Sequence, residues 1–212
     1  MQSEQKQPVF VIGIDPQLNV LAFKTVHMKE DDISASPIVC WFQQQMKRKD
    51  TFEKAEHWES YMIESCHHCI MQIIRNIFQY SLHNNLDTQH RRISLWVEQQ
   101  RGRCKTIPET ALAAIAFENG IDFHIPHPKT WKKGIGFNVG KDGNGVKKTG
   151  NKANKDASEE RYAKKLEAYY TEQRALAENR SELWKVPNPK HHLCDAACMC
   201  EYGCLQISQQ QQ

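Results

Sequence analysis

Runs of apolar residues separated by short polar stretches predict a strand-rich first half of the chain. The runs at 9–14, 18–26 and 37–42 have the length of strands and are joined by short connections. They predict three consecutive strands of an antiparallel ribbon. Similar runs at 93–98 and 121–126 predict a fourth and a fifth strand further along the chain.

Apolar side chains at three- and four-residue spacing predict the helices. The longest such stripe lies between 52 and 82 and consists of Trp58, Met62, Cys66, Ile70, Ile73 and Ile77. Three further helices are predicted, at 106–119, 157–178 and 189–205. Strands followed by helices in this order indicate an α/β protein.

The composition is that of a soluble globular protein. The 212 residues are 40% hydrophobic and 25% charged, which suffices for one sizeable core. No apolar run approaches the ~20 residues of a transmembrane helix, and no signal peptide is visible. Eight cysteines without a secretory signal predict thiols in a reducing, intracellular compartment. We expect one domain over residues 1–208 and a disordered glutamine tail over 209–212.

The net charge of +3 is unevenly distributed along the chain. Residues 129–155 contain eight lysines and a single acid, Asp142, so this segment alone carries +7. Six glycines in the same segment predict a flexible basic loop at 129–156 that contacts the backbone of a polyanion. A disordered insertion that only aids solubility is the alternative. The candidate contacts are Lys129, Lys132, Lys133, Lys141, Lys147, Lys148 and Lys152.

Three acids at the ends of ordered segments form the candidate chemistry. Asp15 ends the first apolar run, Glu98 ends the run at 93–98, and Asp195 lies in the last predicted helix. Carboxylate oxygens are the ligands that Mg²⁺ prefers, and two ions about 3.5–4 Å apart can stabilise both oxygens of a phosphodiester displacement. Each acid alone also fits a turn or an exposed element end. The ordered set of three predicts a nuclease.

Histidines and cysteines supply further candidate ligands. His192 precedes Asp195 by three residues, so both share one helical face, and His192 is expected to bind a metal or carry a proton. The adjacent His191 remains an open alternative. The segment 66–69 (CHHC) resembles a zinc site, but four consecutive helical side chains cannot converge on one ion.

Three short segments carry a resemblance to a known family. They are 12–16 (IGIDP), 97–100 (VEQQ) and 192–196 (HLCDA), and the order of elements agrees with them. The chain resembles the RuvC-type Holliday-junction resolvases, and more narrowly the branch of poxviruses and other large DNA viruses. Two positions differ from that pattern: Gln17 replaces a usual glycine, and His192 replaces a usual acid, although some relatives have histidine there.

The resemblance implies a ribonuclease H-like fold, with a mixed five-stranded sheet flanked by helices. It also implies a metal-dependent, structure-selective DNA endonuclease that resolves four-way junctions by paired hydrolysis. Asp15 would bridge two Mg²⁺ ions, with Glu98 on one and Asp195 on the other, and Mn²⁺ would be a substitute. For a virus of this kind, the task would be genome replication and recombination in the cytoplasm or nucleus of a host cell.

The partners implied are branched DNA and a second copy of the chain, with no membrane. A four-way junction has two equivalent strands to cut, which a two-fold homodimer would serve with one site each. The helix at 52–82 is the candidate interface, and a helix that serves only the core is the alternative.

Further DNA contacts are expected next to the acids. Arg101, Arg103 and Lys105 follow Glu98 and would bind phosphate, with a solvated loop as the alternative. Trp131 lies among lysines and would stack on an unpaired base, with a place in the core or in a lid as the alternative.

Other functions share part of this pattern. A RuvC-like transposase or recombinase would have the same acids, but no second domain is obvious in this length. An actin-like ATPase would share only the first motif. A catalytically inactive protein that binds branched DNA is compatible with His192 in place of the usual acid.

Overall fold

The computed structural model describes residues 7–29, 32–100, 106–137, 151–177, 185–188 and 190–210, with the backbone alone for 151–155. Its sheet consists of β1 (Val9–Pro16), β2 (Val20–His27), β3 (Ile38–Gln45), β4 (Arg92–Val97) and β5 (Asp122–His124). The helices of four residues or more are α1 (Ala55–His83), α2 (Thr106–Glu118), α3 (Pro128–Gly134), α4 (Asn151–Leu176) and α5 (His191–Gln210).

The five strands form one mixed sheet in the order β3-β2-β1-β4-β5. β1, β2 and β3 pair antiparallel, as their short connections predict. β4 pairs parallel to β1 and β5 parallel to β4, because α1 and α2 return the chain to the same end of the sheet. The prediction of a mixed five-stranded α/β sheet flanked by helices is therefore confirmed.

Side chains of β1 alternate between two helical layers. Phe10, Ile12 and Ile14 pack in the cluster that α1 and α2 cover, whereas Val9 and Val11 pack towards α4 and α5. Successive strand side chains point to opposite faces. Asp15 therefore faces the layer of α5.

The predicted stripe of α1 is confirmed. All six of its residues are buried in the α1–α2 layer, and Cys69 and Ser81 are buried with them. In the CHHC segment the two cysteines face this core, whereas His67 and His68 are exposed.

Gly13 brings the backbone of α5 into direct contact with β1. A Cβ atom at this position would lie 2.2 Å from the carbonyl oxygen of Ala196 and 2.3 Å from the backbone nitrogen of Cys200. Only a residue without a side chain permits this approach. The contact places the beginning of α5, including Asp195, beside the end of β1.

Both ends of the predicted loop at 129–156 are helical, which corrects the prediction. Pro128 supplies the fixed φ that suits a first helical turn, and the ring of His127 caps this turn of α3. Trp131 fixes α3 by burying its ring against the α5 layer. α4 begins at Asn151, earlier than predicted.

The remaining boundaries differ by a few residues from those predicted. β5 is shorter than the predicted strand at 121–126. α5 extends through Gln210, so the first two residues of the predicted disordered tail are helical. No helix within the described ranges is long and apolar enough to cross a membrane.

Candidate active site

Asp15 and Glu98 lie side by side because they leave two adjacent parallel strands. Ile14 of β1 is the register partner of Val97 of β4, and Glu98 donates its backbone N–H to the carbonyl of Ile14 at 3.2 Å. Asp15 is 1% exposed, and the side chain of Glu98 is 13% exposed. Parallel strands therefore bring both acids to one edge of the sheet, largely out of water.

Asp195 joins them from α5, where the contact at Gly13 holds the helix against β1. Its carboxylate accepts a hydrogen bond from Ser158, a fully buried residue of α4. Ser158 could not be identified as a site residue from the sequence, because it lies in a strongly charged helix without a motif.

Asp15 is close enough to the other two carboxylates for its charge to raise the pKa of both. Burial is the main cause that raises the pKa of Glu98 to about 7, and the charge of Asp15 raises it further. Burial also raises the pKa of Asp195 well above its ordinary value, and the charges of Asp15 and Glu98 add to this effect. The hydrogen bond from Ser158 acts in the opposite direction. A cation would relieve this repulsion, which burial strengthens.

Both carboxylate oxygens of Asp15 have polar neighbours. The side-chain amide of Gln17 donates to Oδ1 at 2.7 Å, and Nδ1 of His192 lies 2.7 Å from Oδ2. The ring of His191 packs on that of His192, with the centroids 3.9 Å apart. Of the two histidines, His192 is the one with a contact to Asp15 in this structure. Gln17, which the sequence marked only as a departure from the family pattern, orients the carboxylate.

Lys132 is an ion-pair partner of Glu98. Its Nζ lies 3.5 Å from Oε1 of Glu98, and the two side chains are only 16% and 13% exposed. Its charge lowers the pKa of Glu98, against the larger effects of burial and of Asp15. The sequence suggested a contact between Lys132 and DNA. The structure instead places this lysine against an acid of the site.

Trp131 adopts the core position that was the alternative to base stacking. Its ring is 1% exposed and packs near Phe137, with centroids 6.3 Å apart. A nucleobase cannot reach the face of a ring that the protein already covers. The structure thus supports the core interpretation for this tryptophan.

The other residues predicted to contact DNA lie in parts of the chain that the structure describes to different extents. Lys129 and Lys133 are exposed on α3. Lys152 belongs to α4, where only the backbone is described. The predicted contacts outside the described residues are Arg101, Arg103, Lys105, Lys141, Lys147 and Lys148.

No ready-made metal cluster exists among the described residues, in the sense of three His, Cys, Asp or Glu side chains arranged around one ion. Two of the carboxylates contact other side chains of the protein: Gln17 and His192 contact Asp15, and Lys132 contacts Glu98. The donor set nonetheless fits Mg²⁺ or Mn²⁺, because hard carboxylate oxygens predominate and a cation would relieve the mutual repulsion that burial strengthens. Each carboxylate oxygen has two lone pairs, so an ion would bind beside Gln17 and His192 or displace them, and it would compete with Lys132 for Glu98.

Comparison with known proteins gives similarity to solved structures alone. No protein-family model matches the chain, and no curated protein does. The structure of RuvC from Thermus thermophilus is similar over 95% of this chain and 96% of that chain, with a TM-score of 0.51 and 14% identity. T. thermophilus RuvC in complex with a Holliday junction substrate aligns over the same shares, with a TM-score of 0.46 and 13% identity. At such low identity the likeness shows the fold, and this fold is RuvC-like, of the ribonuclease H-like class.

Proposed function

We propose that this chain is a metal-dependent, structure-selective DNA endonuclease that resolves four-way junctions. One observation carries the proposal: three largely buried carboxylates, from β1, β4 and α5, meet at one edge of a ribonuclease H-like sheet. Such a group is costly unless it serves a cation, and clustered pKa shifts of this kind are typical of functional sites.

Each acid has a definable task in this proposal. Divalent ions, when bound, would supply positive charge to the phosphate oxygens and activate the attacking water. Asp15 suits the bridging position, because its charge raises the pKa of both Glu98 and Asp195. Glu98 would bind one of the two ions and Asp195 the other.

His192 would orient Asp15 and handle a proton. Its neutral form with the proton on Nδ1 donates to Oδ2 of Asp15 and leaves Nε2 as an acceptor.

The proposed partners are branched DNA and a second copy of the chain. Exposed Lys129 and Lys133 flank Lys132 on α3, and Lys132 contacts Glu98, so phosphates bound by the two exposed lysines would lie near the acids. Cutting two equivalent strands of a junction calls for two sites at fixed spacing, which a homodimer supplies. The viral role, in genome replication and recombination within a host cell, rests on the sequence resemblance alone.

A second function has a specific observation in its favour. Both oxygens of Asp15 are engaged by protein groups, and the described residues hold no assembled ion cluster. A protein that binds branched DNA without cutting it would have the same features. Only a cleavage assay separates the two functions.

The test incubates purified protein and Mg²⁺ with a four-way junction or with linear duplex of the same sequence. We expect paired cuts in the junction and little cutting of the duplex. Asp15→Asn should abolish cleavage while junction binding persists, because the carboxylate that holds the ions is lost. Asp50→Asn, at an exposed acid paired with Arg48, is the matched control and should cut normally.

Two results would redirect the proposal. Junction binding by the unaltered protein without any cutting, with Mg²⁺ or Mn²⁺, would favour the inactive DNA-binding protein. Cleavage by Asp15→Asn at the unaltered rate would show that these acids do not form the active site.

A further inference from the structure

A second pocket lies between β2, the 3₁₀ turn Ile33–Ala35, α4 and α5. Its volume is about 480 Å³, which is within the range of small-ligand sites. Glu201 of α5 lines it, and six residues separate Glu201 from Asp195. At 1.5 Å per helical residue that separation is about 9 Å. The pocket is therefore distinct from the group of acids.

Lys24 is the buried cation of this pocket. It occupies a position of β2 that faces α5 and is 7% exposed. Its Nζ lies 4.7 Å from the ring centroid of Trp41 and 4.8 Å from that of Tyr162. Within the described part of the chain, no carboxylate pairs with it and no hydrogen bond holds it. Aromatic rings compensate an ammonium group only in part for the loss of water.

Other cations add to this charge, while the nearby acids are engaged elsewhere. Arg161 and Lys165 also line the pocket. Glu201 is bound by Arg161 and by the hydroxyl of Tyr162. Asp32 accepts hydrogen bonds from the 3₁₀ turn that it caps.

Among the described residues, neither Lys24 nor Lys165 forms an ion pair with a carboxylate. Burial is the main cause that lowers the pKa of Lys24; the neighbouring Cys200 raises it, and the like charge of Lys165 lowers it. A buried lysine and a second lysine that line the same pocket, neither of them in an ion pair, create a place for an anion.

We propose that this pocket binds the phosphate group of a ligand, with Lys24 at its base and Lys165 at its rim. A phosphate can accept hydrogen bonds from two ammonium groups and a hydroxyl at once, because each of its oxygens has free lone pairs. Ser36 offers that hydroxyl: its oxygen accepts from the backbone of Lys29, and its own proton is free to donate. The phosphate comes either from a free nucleotide or inorganic phosphate, or from a DNA backbone.

The first experiment measures the unfolding midpoint in inorganic phosphate and in chloride at equal ionic strength, without divalent metal. Phosphate should raise the midpoint of the unaltered protein, because a ligand that binds only the folded state stabilises it. Lys24→Met should abolish that shift, since methionine fills the apolar surroundings without the charge. Lys47→Met is the matched control, because Lys47 also lies over an aromatic ring, 5.6 Å from Tyr61, but outside the pocket.

A second variant covers the case in which Lys24→Met fails to fold. Lys165→Gln changes an exposed residue and should weaken phosphate binding roughly tenfold, as expected for one charged hydrogen bond. Asp15→Asn should bind phosphate normally. The phosphate measurements therefore test the pocket independently of whether the protein cleaves DNA.

A titration of DNA binding against salt concentration distinguishes the two sources of phosphate. If a DNA phosphate occupies the pocket, Lys24→Met reduces the slope of log affinity against log salt by about 0.9. An unchanged slope, together with a lost phosphate shift, assigns the pocket to a free phosphate or nucleotide. If Lys24→Met and Lys165→Gln alter neither the phosphate shift nor the DNA salt slope, the proposal is overturned.

Discussion

Asp15 is positioned by neighbours from two distant parts of the chain. Gln17 belongs to the tight connection after β1, and its backbone N–H donates to the carbonyl of Val20 at 2.9 Å. His192, in contrast, comes from α5. A carboxylate held on both oxygens keeps one orientation. A cation at Asp15 would bind the lone pairs that these two hydrogen bonds leave free, or displace one of the hydrogen bonds.

The two histidines can be separated by substitution. His192→Ala should slow cleavage at limiting Mg²⁺ by about 10- to 100-fold, the usual effect of losing a group that orients a ligand. His192→Asp should retain activity, because a hard cation accepts carboxylate oxygen in place of imidazole. His191→Ala, the matched comparison, should have a smaller effect on the Mg²⁺ dependence. The reverse ranking of the two alanine variants would assign His191 to the site.

The pKa of Glu98 predicts how the stability of the metal-free protein depends on pH. Its ordinary pKa of 4.5 rises to about 7 in the folded state, so the folded state binds more protons between these values. Stability should then fall as the pH rises from about 4.5 to 7, by on the order of 3 kcal/mol.

Thermal unfolding from pH 4.5 to 8 in the presence of a chelator tests this dependence. Glu98→Gln should flatten the profile, whereas Glu118→Gln, at an exposed acid of α2, should leave it intact. Added Mg²⁺ should restore stability chiefly above pH 7, where Glu98 is ionised. A metal-free profile that does not decline between pH 4.5 and 7 would contradict the prediction.

At the scale of elements, the strands and helices with a strong local sequence pattern were predicted correctly. β1 was found because it is a continuous apolar run of strand length, and α1 because its apolar positions repeat with the period of a helix. The short connections of the first three strands predicted their antiparallel pairing. Asp15, Glu98 and Asp195 were identifiable because each closes or occupies such an element.

Elements that depend on distant contacts were not predicted. α3 is seven residues long, too short for a periodic stripe, and its three lysines and one glycine are typical of a loop. Its stability comes from burying Trp131 against α5, which no local pattern reveals. For the same reason, the contacts of Lys132 with Glu98 and of Ser158 with Asp195 could not be read from the sequence.

α3 supplies two adjacent lysines with different surroundings, which permits a matched comparison. Lys132→Ala should raise the pKa of Glu98 further and lower cleavage at neutral pH, because the ion pair with Glu98 is lost. Lys133→Ala, at an exposed residue, should weaken DNA binding slightly and leave the pH profile of cleavage unchanged. The measurement is the pH dependence of single-turnover cleavage. Equal profiles for the two variants would show that Lys132 does not act on Glu98.

At the scale of the whole molecule, the outer surface of α1 and α2 carries exposed apolar side chains. Phe117 is 89% exposed and Ile63 is 50% exposed. A groove of about 1160 Å³ between the helices is lined by Ile63, Tyr61 and Ile107 among others. Exposed apolar side chains and a groove of this kind are typical of interaction sites, so this face is where we expect the proposed homodimer to form.

Phe117→Glu should convert the dimer into a monomer, because a carboxylate would be buried without a partner in the interface. Leu176→Glu is the matched control, since Leu176 is also well exposed, at 69%, but lies on α4. Light scattering during size exclusion measures the mass. Monomeric Phe117→Glu should nick single strands without paired cuts. A dimer that survives Phe117→Glu but dissociates with Leu176→Glu would move the interface to the α4 side.

The basic segment at 129–155 contrasts with a remainder of the chain that is net acidic. Three of its eight lysines lie outside the described residues and two more are described by their backbone alone. The prediction therefore depends on charge. Lysines that contact backbone phosphates release counterions but read no base sequence. Their contribution should therefore be to affinity, whereas the preference for a junction depends on two sites at fixed spacing.

Neutralising Lys141, Lys147, Lys148 and Lys152 together should weaken binding to junction and duplex alike. The slope of log affinity against log salt should fall by up to about 3.6, since each phosphate contact contributes about 0.9. The matched control neutralises four exposed lysines elsewhere, Lys47, Lys49, Lys54 and Lys164. An unchanged slope in the first variant would show that the segment does not contact DNA. If junction preference disappears while duplex affinity stays the same, the segment recognises the shape of the branch, and the dimer is not the source of selectivity.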